Sequence, residues 1–342
     1  MKYVGDLSQV LGVKDYTLNG GKAQGVRAID VKNGAGLEFT ILPDRGMDIA
    51  WLTCQGVNLS YISKTGIVAP QYYNEDGTGP LRSFEAGFMV TCGLMNVGTP
   101  CEENGEKFGQ HGRISNTPAE NVSTGVAWEQ GKPVIKVAGK MREARLFGEN
   151  LTLSREIICQ CGANRFSIED TIENDGFRVE ALMLLYHFNL GYPLLDENAV
   201  LYAPTKLIRP RDTEAATGTG AHHLFQKPTP AYKEQVFYHD LKTDADGNTC
   251  AALLNQDLEM GLAIRFNKKQ LFNLTQWKQM GEGEYALGLE PGNCYVEGRL
   301  DARNKGILET LDPGERRMFK LEIEIIQGEA GMERIRDEIA RF

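Results

Sequence analysis

Short runs in which apolar and polar residues alternate recur along the chain: Leu37–Ile41, Val134–Ala138, Leu151–Ile158, Arg165–Ile172, Leu262–Phe266 and Arg317–Ile326. Alternation with period two places every second side chain on one face, as in a half-buried strand. In the last run Phe319, Leu321, Ile323 and Ile325 share that face. Between the runs lie turn-forming pairs and clusters, among them Asn19-Gly20, Asn33-Gly34, Asn104-Gly105, Gln130-Gly131, Asn174–Gly176, Asp244–Gly247 and Asp312–Gly314. Strands joined by turns, with few helical periods, predict an all-β fold, a large antiparallel β-sandwich. Only the tail, Ala330–Phe342, predicts a clear helix, with Met332, Ile335, Ile339 and Phe342 at helical spacing. The first dozen residues read as a short helix or cap. Two long segments break the alternation, Ser63–Gln110 and Ala203–Glu234, the second with four prolines and the pair His222-His223. Both are expected to be covering or binding loops.

One of the most apolar stretches, Ala181–Leu195 (ALMLLYHFNLGYPLL), carries one imidazole and one carboxamide. As a strand it puts Leu182, Leu184, Tyr186, Phe188 and Leu190 on one face, and Met183, Leu185, His187 and Asn189 on the other. A buried polar group without partners costs on the order of 1–3 kcal/mol, so His187 and Asn189 need either backbone partners or a task. A second stretch, Tyr285–Asn293 (YALGLEPGN), alternates Tyr285, Leu287 and Leu289 with Ala286, Gly288 and Glu290. There small residues beside the carboxylate leave room for a ligand against it.

Composition narrows the class. The 342 residues are 42% hydrophobic and 24% charged, with no composition shift or Pro/Ser-rich linker, which predicts one globular domain over 1–342. The net charge of −9 argues against nucleic acid or an anionic membrane as partner. The N-terminus lacks the apolar core and cleavage site of a signal peptide, and no window approaches the ~18 consecutive apolar residues of a membrane span, so a cytoplasmic location is expected. Seven cysteines without CxxC or Cys/His ligand spacing predict reduced thiols and no structural disulfide. Thr217-Gly218-Thr219-Gly220 lacks the strand-to-helix context of a phosphate-cradling loop.

Four polar clusters stand beside Gly or Pro: Pro43-Asp44-Arg45-Gly46, Gly109-Gln110-His111-Gly112-Arg113, His187-Phe188-Asn189 and Glu290-Pro291-Gly292-Asn293. Each alone has a structural explanation: a turn residue, a capping histidine, a buried ion pair. Together they allow a histidine and a carboxylate from separate strands to meet across a cleft. The stretch from Leu151 to Gly191 resembles the central part of the galactose mutarotase-like (aldose 1-epimerase) superfamily, and PDRGMDI, QHGRI, YHFNLGYP and GLEPGN together resemble an uncharacterised bacterial branch of it. The resemblance implies a β-sandwich enzyme that interconverts anomers of a monosaccharide. It implies catalytic roles for His187 and Glu290, and substrate binding by Arg45, His111 and Arg113. For the family's sugar-binding aspartate it offers Glu234, His239 or Asp240. Asn189 and Trp277 are added from their own chemistry, Trp277 as a platform for a sugar's C–H face.

Anomer interconversion needs a proton delivered to the ring oxygen and another removed from the anomeric hydroxyl. His187, ordinarily near 6.5, suits the acid; Glu290, ordinarily near 4.3, suits the base, on opposite sides of the ring, each charge favouring the other. No metal or cofactor is needed. The alternatives are an isomerase or epimerase working at another sugar carbon and a non-catalytic carbohydrate-binding protein on the same fold. Arg45 and Arg113 decide the ligand's charge: free in the cleft they favour an anionic sugar, the lesser reading, and paired with carboxylates a neutral one.

Overall fold

All the alternating runs except Leu37–Ile41 fall in one antiparallel sheet of eight strands, in the order Glu120–Glu129, Lys132–Ala144, Asn150–Gln160, Arg165–Asn174, Arg316–Gln327, Met260–Asn267, Asn248–Asn255 and Ala199–Tyr202. Arg165–Asn174 shows why the pattern was clean. Phe166, Ile168, Asp170, Ile172 and Asn174 are buried while the residues between them are not, because one face of this sheet is solvated. The computed structural model describes residues 2–342.

The second sheet has twelve strands. Its path runs Gly12–Thr17, Arg27–Lys32, Leu37–Leu42, Asp48–Cys54, Met89–Leu94, Glu180–Leu190, Glu284–Gly292, Asn273–Gly281, Gln235–Leu241 and Thr205–Pro210, with Val57–Asn58 and Glu309–Leu311 pairing off it. The apolar inner faces of the two sheets meet in one core that includes Leu182, Leu184, Tyr186, Phe188, Leu287 and Leu289 from this sheet, and Ile168, Phe319, Leu321 and Ile323 from the other. At its centre the larger sheet is buried on both faces. Its outer side holds a second cluster of Val90, Cys92, Met183, Leu185 and Cys294.

Double burial and an irregular edge explain two departures from the sequence reading. Met89–Leu94, inside the expected loop 63–110, is a central strand buried at all six positions and so has no alternation to read. Thr205–Pro210, inside the expected loop 203–234, is an edge strand broken by a register shift between Thr205 and Leu207. The expected N-terminal helix is one short 3-10 turn, Leu7–Gln9. The C-terminal helix, Gly328–Ala340, lays Met332, Ile335 and Ile339 on Cys250, Ala252, Ala263 and Ile326. Each large side chain buried there contributes about 1.5–3 kcal/mol. Among the described residues no helix is long and apolar enough to cross a membrane, and all seven cysteines are free thiols.

Candidate active site

His187 and Glu290 come from hydrogen-bonded neighbours. Leu185 pairs with Gly292 and Phe188 with Leu289, a register that sets His187 opposite Glu290 on the outer face. His187 Nε2 lies 3.2 Å from Glu290 Oε1, with the residues 5% and 2% exposed. Gly288, cross-strand from Asn189, makes this contact possible. A Cβ there would stand 2.5 Å from Glu290 Oε1 and 2.9 Å from Trp277 Cβ, so the space expected for a ligand is taken by the carboxylate itself.

Burial governs the charge state of the pair. It pushes His187 down to about 3, with nearby His111 adding to the effect. It pushes Glu290 well above the usual carboxylate range, with Glu234 adding. Desolvation therefore opposes the mutual stabilisation of two charges expected from the sequence and favours a neutral imidazole beside a carboxylic acid. The two groups also touch, where an acid and a base on opposite sides of a ring were expected. His187 Nδ1 and Glu290 Oε1 have no hydrogen-bond partner among the described residues.

The pair opens into a cleft of about 510 Å³ whose lining includes Ser63, Phe84, Gln110, His111, Glu234 and Trp277. Three rings box the imidazole at centroid distances of 5.4 Å (Phe84), 5.9 Å (His111) and 5.6 Å (Trp277). His111 sits at φ 62° in a tight turn, and burial pushes it down to about 4. The next residue has to be glycine, since a Cβ on Gly112 would stand 2.1 Å from the Gly93 carbonyl oxygen. Glu234 accepts from Trp277 Nε1 at 2.8 Å and from Arg211 Nη2 at 2.9 Å. Of the three positions offered for the sugar-binding aspartate, Glu234 alone lines the cleft. Asp240 pairs with Lys268 at 2.6 Å near the surface.

Four expected binding residues do not reach the cleft. Arg45 is 1% exposed, with its guanidinium donating to the carbonyls of Ser115, Val68 and Ser83 and paired with Glu85 at 2.6 Å. It ties together the loops that carry Phe84 and His111 and, buried among them, does not line the cleft. Arg113 pairs with Glu75 at 2.8 Å and lines a separate, water-sized hollow with Tyr73 and Glu143. His239 lies behind the sheet: Val236 faces the cleft, so the residue three further on points inward, to Gln276 Oε1 at 3.1 Å and Thr205 Oγ1 at 2.9 Å. Asn189 is fully buried beside His187.

Sequence reasoning missed Arg211, Phe84 and Lys64, and gave Gln110 no role of its own within its cluster; all four line the cleft. The one available signal was Pro210-Arg211-Asp212, an arginine beside a proline and an acid, the same texture as Pro43-Asp44-Arg45. Among the described residues no group of three or more His, Cys, Asp or Glu side chains could hold a metal ion.

Residues 23–325 match the model of a protein family described as a domain of unknown function, DUF4432. No curated protein matches the sequence. Among solved structures, a protein from Klebsiella pneumoniae provisionally described as an aldose 1-epimerase is 29% identical, with TM-score 0.92, over 96% of this chain and 87% of its own. A galactose mutarotase-like protein from Clostridium acetobutylicum is 14% identical, with TM-score 0.62, over 93% and 99%. Galactose 1-epimerase from Lactobacillus acidophilus is 15% identical, with TM-score 0.60, over 93% and 99%.

Proposed function

The chain belongs to the DUF4432 family and carries the galactose mutarotase-like fold, and from that premise we propose that it is an aldose 1-epimerase acting on a neutral monosaccharide, with His187 and Glu290 as its acid–base pair. The observation that carries the reading is the contact of 3.2 Å between two buried, incompletely partnered titratable groups at the wall of a sugar-sized cleft. A protein that only binds sugar has no need of such a pair.

The ring oxygen and the anomeric oxygen are bonded to the same carbon, so an acid and a base in contact reach both from one edge of the sugar. At rest the pair holds one proton, on Glu290. Sugar hydroxyls donating to the carboxylate favour its ionised form, and the proton crosses to His187 Nε2. His187 then protonates the ring oxygen as Glu290 takes the anomeric hydroxyl proton, and the bond from the anomeric carbon to the ring oxygen breaks. Rotation of the aldehyde and attack of the ring hydroxyl on its other face return both protons. The pair ends as it began, so no other reactant is consumed. Trp277 and Glu234 flank the site as apolar face and hydroxyl acceptor.

Arg45 and Arg113 are each paired with carboxylates, and so is Arg211, to Glu234 and Asp212 at 2.9 Å each. These pairings favour a neutral ligand. The test is the rate at which freshly dissolved α anomers of neutral and acidic sugars reach equilibrium with and without protein. Acceleration of a neutral aldose is expected, and acceleration of none would overturn the reading.

A further inference from the structure

We propose that Asn189 is a positioning residue for His187: its carboxamide oxygen takes the imidazole Nδ1–H and so fixes the tautomer whose bare Nε2 faces Glu290. The inference deepens the acid–base reading of the cleft and rests on it, but its test needs no sugar.

Asn189 follows His187 by two residues on the same face of one strand, so the two side chains are neighbours on the sheet. The amide is oriented without ambiguity. One end lies 2.9 Å from the His187 carbonyl oxygen and 3.2 Å from the Ala86 carbonyl oxygen. Two carbonyl oxygens only accept, so that end is the NH₂. The other end is then Oδ1, a fully buried acceptor; neither it nor the buried His187 Nδ1 has a hydrogen-bond partner, each other included, so the bond assigned to them is one that a small adjustment of the two side chains has to close. One missing donor and one missing acceptor on adjacent side chains complement each other. Asn189 also favours the protonated ring as a hydrogen-bonding neighbour.

One other acceptor near the ring is the carbonyl oxygen of His187 itself, which already takes the Asn189 NH₂. Phe84, His111 and Trp277 present ring edges or faces, Glu290 meets the opposite nitrogen, and Glu234 and Arg211 are engaged with each other. Which ring nitrogen of a histidine carries the proton is set by the bond its other nitrogen makes. Without the Nδ1–H held by Asn189, the ring could carry its proton on Nε2, where it would meet the acid proton of Glu290 head-on and block the exchange.

The experiment is nitrogen NMR of the full chain with ¹⁵N-labelled histidine near neutral pH. The protein has five histidines, and the His187 signals are those lost in His187→Asn. The expected result is a protonated Nδ1 and a bare Nε2 in the native protein. In Asn189→Ala the proton leaves Nδ1, and in Asn189→Asp it returns. In whatever sugar assay proves active, Asn189→Ala should lower kcat and leave KM unchanged. An unprotonated Nδ1 in the native protein, or an Asn189→Ala spectrum identical to native, overturns the proposal. Should Asn189→Ala not fold, the native and Asn189→Asp spectra decide it. A protein that equilibrates no sugar but shows the expected tautomer would refute the enzymatic reading and leave the positioning intact.

Discussion

Tyr186 and His187 are consecutive residues pointing to opposite faces of one strand, and each ends in a buried polar cluster. On the core side Arg155 donates to both oxygens of Asp170, at 2.9 and 2.7 Å, and to Asp48 at 3.0 Å. Tyr186 completes Asp170 at 2.8 Å, and Thr91 completes Asp48 at 2.6 Å. On the cleft side His187 and Glu290 touch once and leave Nδ1 and Oε1 unpartnered. The two clusters are about equally buried, so burial does not separate scaffold from site. Satisfaction does: a closed network joins strands of both sheets, and an open one is poised to trade protons with a ligand.

Substitutions should break the comparison in opposite directions. Glu290→Gln keeps shape and removes the base; general acid–base groups contribute typically about 10²–10⁴-fold, so anomer exchange should slow by that order. Chemical denaturation should show stability unchanged or raised, because a carboxyl disfavoured by burial is gone. Arg155→Met should do the reverse. It leaves Asp48 and Asp170 buried without their cation, a loss of about 3–5 kcal/mol in the same denaturation measurement. Molecules that remain folded should keep their exchange rate. Smaller still, Gly288→Ala forces a methyl onto Glu290, and overpacking of this kind costs about 1–3 kcal/mol. Here the exchange assay should show the larger change, since the carboxylate must move.

The smallest effect is in pH dependence, and it reports the open cluster alone. In the unfolded chain Glu290 ionises from 4.5 and His187 from 6.5; folding raises the first and lowers the second to about 3. Between 4.5 and 6.5 the folded pair holds one proton on Glu290 and the unfolded chain one on His187, so the pair adds no slope. Above 6.5 the unfolded chain loses its proton, and stability falls as pH rises for as long as the raised Glu290 holds its own. Below 4.5 the unfolded chain gains a second, and stability falls as pH drops toward 3. Each limb approaches about 1.4 kcal/mol per pH unit. Stability of the native protein relative to Glu290→Gln/His187→Asn, followed by denaturation across pH, should trace that plateau with two falling limbs.

The same contrast sets what was legible in the sequence. Strands with one wet face, such as Arg165–Asn174, announce themselves by alternation; Met89–Leu94, buried throughout, does not. His187 and Glu290 stood out as lone polar residues in apolar strands. Arg45 and Arg113 carried equally conspicuous Gly-flanked motifs, but residue type does not say whether a guanidinium will spend its donors on carbonyls and carboxylates or on a ligand. Arg211 and Glu234 escaped full notice because they enter the cleft from a segment without periodicity. Nor does sequence pattern report that burial opposes the mutual attraction of a histidine and a glutamate.

The central claim is that the open cluster exchanges protons with a sugar at its anomeric carbon. Magnetisation-exchange NMR at equilibrium, on a neutral aldose, measures that exchange without any coupled reaction. Exchange between α and β signals should depend on the native protein and be lost by about 10²–10⁴-fold in folded Glu290→Gln and folded His187→Asn, with the double variant losing less than the product of the two. Folded single variants that exchange the anomers at the native rate would contradict it.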